Sequence, residues 1–97
     1  MTFKEKERIA ELKSKMIIDQ HNRCYVCDKV FTYKNLPEMA HRIPKAKNNL
    51  KKYGKEIIHH ELNMFITCPG FCNDAVMLNP ATQPIKAAEL IKEIEEC

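Results

Sequence analysis

Two closely spaced pairs of cysteines constrain this chain more than any other feature of its sequence. Cys24 and Cys27 enclose two residues, Cys68 and Cys72 enclose three, and 40 residues separate the two pairs. Each pair can present two thiolates to one metal ion, and two pairs complete the tetrahedron that zinc prefers. We therefore predict a structural zinc ion bound by these four cysteines. Cys97 stands apart at the last position and is expected to be a free thiol.

The length of the chain makes such a metal site important for stability. Ninety-seven residues form one domain, and a domain of this size buries only about 60–70% of the surface that its unfolded chain exposes. The first residues lack the apolar segment of a secretory signal, and the longest aliphatic run is far too short to cross a membrane. We therefore expect a cytoplasmic protein without a membrane partner, in a reducing compartment where paired cysteines favour zinc over disulfides.

Positive charge is concentrated in the middle of the chain. The net charge is +3, but residues 21–78 hold nine basic and five acidic side chains. Residues 39–55 contain no acid and six cations, namely Arg42, Lys45, Lys47, Lys51, Lys52 and Lys55. Such a cluster is typical of a surface that binds phosphates, although a solvated loop has the same composition. Since five of the six are lysines, DNA bound here would be held by its backbone with little reading of base sequence.

Hydrophobic periodicity predicts helices at both ends of the chain and short strands between them. Thr2 and Glu5 form a capping box, and apolar residues recur at helical spacing, which predicts a helix over residues 3–20. Pro84 is suited to the first turn of a last helix, which we expect to pack against the first. The predicted organisation is a single α+β domain over 1–97, with an N-terminal helical segment at 1–20, a core at 23–78 that has strands at 38–43 and 63–67 and short helical stretches at 49–53 and 73–78, and a C-terminal helix at 83–96.

Three polar side chains stand where the predicted strands and the second cysteine pair begin or end. His41 lies near the end of the first strand, Asn63 begins the second, and Asn73 follows Cys72 directly. A strand pair and a helix folded around zinc would bring the three together. Histidine is suited to removing a proton near neutral pH, and an asparagine oxygen can bind a hard cation such as Mg²⁺. The pattern therefore predicts a site where water attacks a phosphodiester.

In the order and spacing of these residues the chain resembles the HNH (His-Asn-His) endonucleases, which are ββα-metal nucleases with flanking cysteine pairs. The matching segments are Cys24–Cys27, Ala40–Pro44, Leu62–Met64 and Cys68–Asn73. The resemblance covers residues 23–78, a little over half of the chain. It implies a small zinc-stapled ββα-metal core, made of a β-hairpin plus a helix, with helices flanking it at both ends. The implied activity is that of a metal-dependent DNA endonuclease.

The resemblance also implies a role for each residue of the site. His41 would be the general base that activates water, and Asn63 would stabilise both the hairpin loop and the base. Asn73 would bind a catalytic Mg²⁺ or Mn²⁺ ion, whereas the zinc ion would be structural and take no part in the reaction. The basic stretch from Arg42 to Lys55 would lie along the phosphates of DNA.

Ala40 departs from the family pattern, in which many members carry a metal ligand directly before the catalytic histidine. One ligand is then unassigned, and Glu38, His59 and His60 are the nearby candidates. Alternation in a regular strand places Glu38 on the face opposite His41, so we favour His60 as the second ligand of the catalytic metal. Apart from that role, His59 and His60 are expected to be surface or loop histidines.

Two further interpretations stay open at this point. A zinc-binding module without catalysis would use the basic stretch to grip DNA or RNA, and Ala40 is compatible with it. A zinc module that binds other proteins through its terminal helices would fail to bind nucleic acid at low salt. Asn73 is also well placed to cap a helix, with or without a metal ion.

Overall fold

The longest helix, α1 (Phe3–Asp19), opens the described part of the chain, which covers residues 2–97 of this computed structural model. Thr2 caps the helix, because its Oγ1 atom accepts a hydrogen bond of 3.2 Å from the backbone N–H of Glu5. This bond satisfies one of the free donors of the first turn, as the capping box predicts. The helix ends one residue before the predicted end at residue 20. Met1, which the predicted segment 1–20 includes, lies outside the described residues.

Two short strands, β1 (Glu38–His41) and β2 (Met64–Thr67), form an antiparallel sheet. Glu38 pairs with Thr67, and His41 pairs with Met64. Side chains alternate between the two faces of a strand. One face carries Met39, His41, Met64 and Ile66, and the other face carries Glu38, Ala40, Phe65 and Thr67. β1 is two residues shorter than predicted, and β2 begins one residue later than predicted.

The chain between the strands is more helical than the sequence suggests. It forms α2 (Lys47–Tyr53), α3 (Lys55–Ile58) and a 3₁₀ turn (Glu61–Asn63). Gly54, with a φ of 89°, separates α2 from α3 in a conformation that favours glycine. The predicted helical stretch at 49–53 is therefore longer, and Asn63 closes a turn instead of beginning a strand.

Two helices follow the sheet. α4 (Phe71–Ala75) begins after Gly70, whose φ is 75°, and packs against β1. It starts two residues before the helical stretch predicted at 73–78 and also ends earlier. α5 (Pro84–Glu95) has Pro84 in its first turn, where the missing N–H of proline is no loss. Its bounds are one residue inside the predicted 83–96 at each end.

The buried side chains form two separate clusters. The first comprises Met16, Cys24, Phe31, Met64, Ile66, Cys68 and Cys72. The second comprises Ile43, Ile58, Leu78, Ala87, Leu90 and Ile94. α1 contributes to the first cluster and packs against β2, whereas α5 contributes to the second and packs against α3 and the 3₁₀ turn. The prediction that the terminal helices bury their apolar faces against each other is therefore wrong.

A glutamine side chain fastens the end of α1 to the sheet. Gln20 donates through Nε2 to the carbonyl oxygen of Ile66 and accepts through Oε1 from the N–H of Ile66, both at 2.9 Å. The amide group thus pairs with β2 much as a neighbouring strand would. This contact fixes the segment that leads from α1 into the first cysteine pair.

The fold class is α+β, as predicted, and residues 2–97 form five helices and a two-stranded antiparallel sheet. The four cysteines of the two pairs lie near one another. Within residues 2–97, no helix has both the length and the apolar character needed to span a membrane.

Candidate functional site

The sulfur atoms of Cys24, Cys27, Cys68 and Cys72 lie within 4.8 Å of one another. The sulfurs of Cys27 and Cys68, one from each pair, are 3.6 Å apart. Zinc–sulfur bonds of about 2.3 Å in a tetrahedron place neighbouring sulfurs about 3.8 Å apart. The cluster therefore has the dimensions and the donor chemistry to hold a metal ion such as zinc. Cys97, by contrast, is exposed at the end of the chain.

Backbone N–H groups surround the sulfur of Cys24. The N–H groups of Val26, Cys27 and Cys68 donate to it at 3.4, 3.5 and 3.3 Å. Burial alone would raise the pKa of this thiol, but the three donors outweigh burial and lower the pKa to about 6. The turn that aims the N–H groups of Val26 and Cys27 ends at Asp28, which adopts a φ of 63°. This environment favours a thiolate, the form of cysteine that binds metals.

A second donor reaches the cluster from a residue that the sequence analysis missed. The side-chain nitrogen of Asn35 donates to the sulfur of Cys68 at 3.1 Å. Asn35 is positioned by a tight turn, in which Thr32 and Asn35 exchange two backbone hydrogen bonds of 3.1 Å. Hydrogen bonds to a ligating atom orient it and tune the metal. The only signal in the sequence is a polar residue in a turn after the first cysteine pair, which does not reveal its partner.

His41 makes a hydrogen bond with His59 rather than with a predicted site residue. The Nε2 atom of His41 lies 3.1 Å from the Nδ1 atom of His59, and the two rings are inclined by 76°. Burial, together with the neighbouring His59 and Lys45, lowers the pKa of His41 to about 4. Burial also lowers the pKa of His59, with Lys45 as the next cause. Both rings are therefore neutral near pH 7, and one donates its proton to the other.

His59 is a functional candidate whose burial sequence reasoning did not predict. It lies in the turn after α3, where a surface or loop position was expected, but its side chain is buried, with 6% of its surface exposed. Burial follows from its place at the end of α3, directly after the fully buried Ile58. The run of Ile57 and Ile58 before it was the available signal. It indicated a buried segment but not the imidazole that His59 would contact.

Asn63 is fully buried and holds the loop that follows β1. Its Oδ1 atom accepts from the N–H of Ile43 at 2.8 Å, and its Nδ2 atom donates to the carbonyl oxygens of Ile43 and Ile58 at 3.1 and 2.8 Å. The backbone oxygen of Asn63 also accepts from the N–H of Arg42 at 2.7 Å. These bonds fix the chain immediately after His41, although none of them touches the imidazole.

Asn73 lies within α4 and contacts Glu38. Gly70, not Asn73, is the N-cap of α4, so the predicted capping role is wrong. The Nδ2 atom of Asn73 donates to the carboxylate of Glu38, which leaves the Oδ1 atom of Asn73 for another partner. Glu38 and Ala40 share a face of β1, and His41 is on the opposite face. The structure thus pairs Asn73 with Glu38 and does not bring it to His41.

His60 has a different role from the one predicted for it. Its Nδ1 atom accepts from the N–H of Leu62 at 3.1 Å and caps the 3₁₀ turn. Its side chain lines a cleft beside α1, where it has Arg8 and Glu61 as neighbours. The carboxylate beside Asn73 is that of Glu38. The expected pairing of His60 with Asn73 is therefore replaced by a pairing of Glu38 with Asn73.

The six basic residues predicted to contact nucleic acid are in different environments. The exposed ones are Lys45, Lys47, Lys51, Lys52 and Lys55. Arg42 is half-buried, and its guanidinium carbon lies 5.8 Å from the centre of the Phe65 ring. Lys55 makes an ion pair of 3.4 Å with Glu5 of α1. Its charge is therefore partly compensated, whereas no ion pair within residues 2–97 involves the other five.

Comparisons of the chain with protein-family models, with curated proteins and with solved structures find no match. The chemistry of the site is therefore inferred from its own residues.

Proposed function

We propose that this protein is a metal-dependent DNA endonuclease of the HNH type, with His41 as the general base. The observation that carries the proposal is the hydrogen-bonded His41–His59 pair at the end of β1, beside a loop that Asn63 fixes. A neutral imidazole can accept a proton at physiological pH, which is the first requirement of a base. The fixed loop keeps that imidazole in one position, and this supports the role that the resemblance gives to Asn63.

The tautomer of the pair decides which ring nitrogen acts. If Nε2–H of His41 donates to Nδ1 of His59, the Nδ1 atom of His41 is free to accept a proton. In the proposed reaction this atom takes a proton from water while the water oxygen bonds to phosphorus and the bond to the leaving oxygen breaks. His59 then remains a hydrogen-bond acceptor for the imidazolium that forms, which stabilises its charge.

Glu38 and Asn73 are the residues that could hold a divalent cation, on the face of β1 opposite His41. A carboxylate and an amide oxygen are ligands that Mg²⁺ and Mn²⁺ accept. In the proposed reaction, a divalent cation at the attacked phosphate would stabilise negative charge there. The four cysteines would hold a structural zinc ion that keeps the sheet, α4 and the first cysteine pair together.

A plasmid-nicking assay tests the proposal. With Mg²⁺ or Mn²⁺, the protein should convert supercoiled DNA to the open circle. His41→Ala should slow nicking by about 10²–10⁴-fold, the usual contribution of a general base. His41→Gln is a second variant that retains a donor towards His59, and it should be equally slow. His21→Asn, at an exposed position with a φ of 58° that asparagine tolerates, is the control. Unchanged nicking by both His41 variants would refute the mechanism.

A second candidate is a zinc-binding module that binds nucleic acid without cutting it. The placement of Asn73 on the face of β1 opposite His41, together with Ala40, favours this alternative. Wild-type protein that binds DNA but leaves plasmid intact with both metals would establish it over the nuclease.

A further inference from the structure

Two clefts lie beside His59, and they differ in charge. The larger, about 980 Å³, runs between α1 and the segment from α3 to the 3₁₀ turn. Its lining includes the acids Glu5, Glu56 and Glu61 as well as Arg8 and Lys55. The smaller cleft, about 400 Å³, lies between α1 on one side and β1 and α2 on the other. Both His41 and His59 line it. Its volume is within the range of small-ligand sites, about 300–1,000 Å³.

The smaller cleft is lined by cations without compensating acids. Lys6 and Lys13 reach it from α1, and Lys45 reaches it from the segment after β1. No acidic side chain among the described residues lines it, and none of the three lysines takes part in an ion pair of the described chain. Lys6 and Lys13 are seven residues apart, so two helical turns of about 5.4 Å separate them. The helix rise therefore places these two residues about 10 Å apart along α1, which is about one Debye length at 0.1 M salt.

The remaining walls of this cleft are apolar. Ile9 and Ala10 of α1, Met39 of β1 and Leu50 of α2 complete it. A ligand that fits both kinds of wall carries a negative group for the lysines and a less polar body for the aliphatic side chains. A nucleotide unit of a nucleic-acid strand has both, in its phosphodiester and its sugar.

We propose that this cleft is the binding site of a DNA phosphodiester. Lys6, Lys13 and Lys45 would contact the phosphodiester, and its phosphate would lie over the His41–His59 pair. The identification of the ligand as DNA rests on the proposed function. The inference adds that α1 forms one side of the DNA-binding surface, so that the substrate enters on the α1-facing side of the sheet. The composition of residues 1–20 does not indicate such a role, because five basic and four acidic side chains nearly balance.

A charge-matched pair of variants tests the proposal. Lys6→Gln/Lys13→Gln removes two charges from the cleft, and Lys86→Gln/Lys92→Gln removes two from the exposed surface of α5. Binding to a fluorescent DNA duplex is followed by anisotropy against salt, without added Mg²⁺ or Mn²⁺. The first variant should weaken binding and reduce the log–log salt slope by about 2, at about 0.9 per phosphate contact, while the second leaves the slope near that of wild type.

Nicking by the same variants separates this inference from the proposed function. The cleft is not the DNA-binding site if Lys6→Gln/Lys13→Gln binds DNA as wild type does, or if both double variants lose the same affinity. This holds even if wild-type protein nicks DNA. If the cleft variant alone binds weakly and wild-type protein never nicks, the cleft binds DNA and the nuclease proposal fails. Circular dichroism of the variants confirms that each is folded.

Discussion

The cysteine cluster and the His41–His59 pair are both buried polar groups, but their surroundings act on their charges in different ways. Around Cys24, three N–H groups point at sulfur and favour negative charge, and the pKa of Cys24 falls to about 6. Around the pair, burial disfavours positive charge, with smaller contributions from His59 and Lys45, and the pKa of His41 falls to about 4. The four sulfurs of the cluster could hold a cation, whereas the two rings satisfy each other. We therefore expect the first region to depend on a bound ion for its stability and the second to depend on packing.

Removal of metal should produce the largest difference between the two regions. Binding of structural zinc contributes about 10–16 kcal/mol of apparent free energy to folding in small zinc domains. We expect a strong chelator, or Cys24→Ser, to unfold the protein, as followed by circular dichroism and by the zinc content of the purified chain. Cys97→Ser, at an exposed position, should have no effect. Full helicity at saturating chelator would show that the cluster is not what holds the fold.

Loss of the Asn63 side chain should damage the region around the histidines without touching the cysteines. Asn63→Ala breaks three buried hydrogen bonds and leaves backbone groups of Ile43 and Ile58 without partners. At about 1–3 kcal/mol for each unsatisfied group, the free energy of unfolding should fall by about 3 kcal/mol or more. Urea denaturation of the zinc-loaded protein measures it. Asn49→Ala, which loses one bond to Pro44, should cost about 1 kcal/mol. Equal losses would contradict the assigned role.

Asn35 offers a smaller test confined to the cluster. Asn35→Ala removes the donor to the sulfur of Cys68 and should weaken zinc binding by about 10–100-fold, the usual effect of losing a hydrogen bond to a ligand. Competition with a chromogenic chelator measures the affinity. Asn48→Ala, exposed on α2, is the control. An unchanged affinity would mean that the backbone donors alone determine the properties of the sulfurs.

The smallest effect concerns the protonation of the pair. The folded pKa of His41, about 4, lies below its ordinary value near 6.5, so the unfolded chain binds more protons between these values. Its contribution to stability is therefore complete above pH 6.5 and is lost as the pH falls towards 4. In an NMR titration the His41 ring should stay neutral at pH 5.5, and Lys45→Gln should raise its pKa. Lys29→Gln serves as the control. A midpoint near 6.5 in the wild type would contradict the buried, paired state.

Local patterns account for what could be predicted from the sequence. The cysteine pairs and the capping box at Thr2 each depend on residues within one turn of chain, so their spacing determines their geometry. The His41 site depends on which face of a four-residue strand each side chain occupies. Alternation correctly places Glu38 opposite His41, but the position of α4 is decided by the turn at Gly70. That turn brings Asn73 to Glu38 instead.

The same dependence on packing explains why the burial of His59 could not be predicted from the sequence. Its burial depends on how α1, α3 and the strand end pack together, and no spacing rule within residues 55–60 encodes that contact. Short-range rules therefore identified the four cysteines that lie together, while the partner of the candidate base emerged only from the three-dimensional packing.

The amide of Gln20 has a consequence for the behaviour of this protein at high concentration. A two-stranded sheet has two open edges, and an open edge can recruit a strand from another molecule and begin aggregation. On β2 the central residue Ile66 has both its N–H and its carbonyl oxygen engaged by Gln20, and the N–H of Tyr25 donates to the same oxygen at 3.0 Å. A strand that approaches the edge of β2 finds the hydrogen-bonding groups of Ile66 already occupied, so Gln20 hinders self-association at this edge of the sheet.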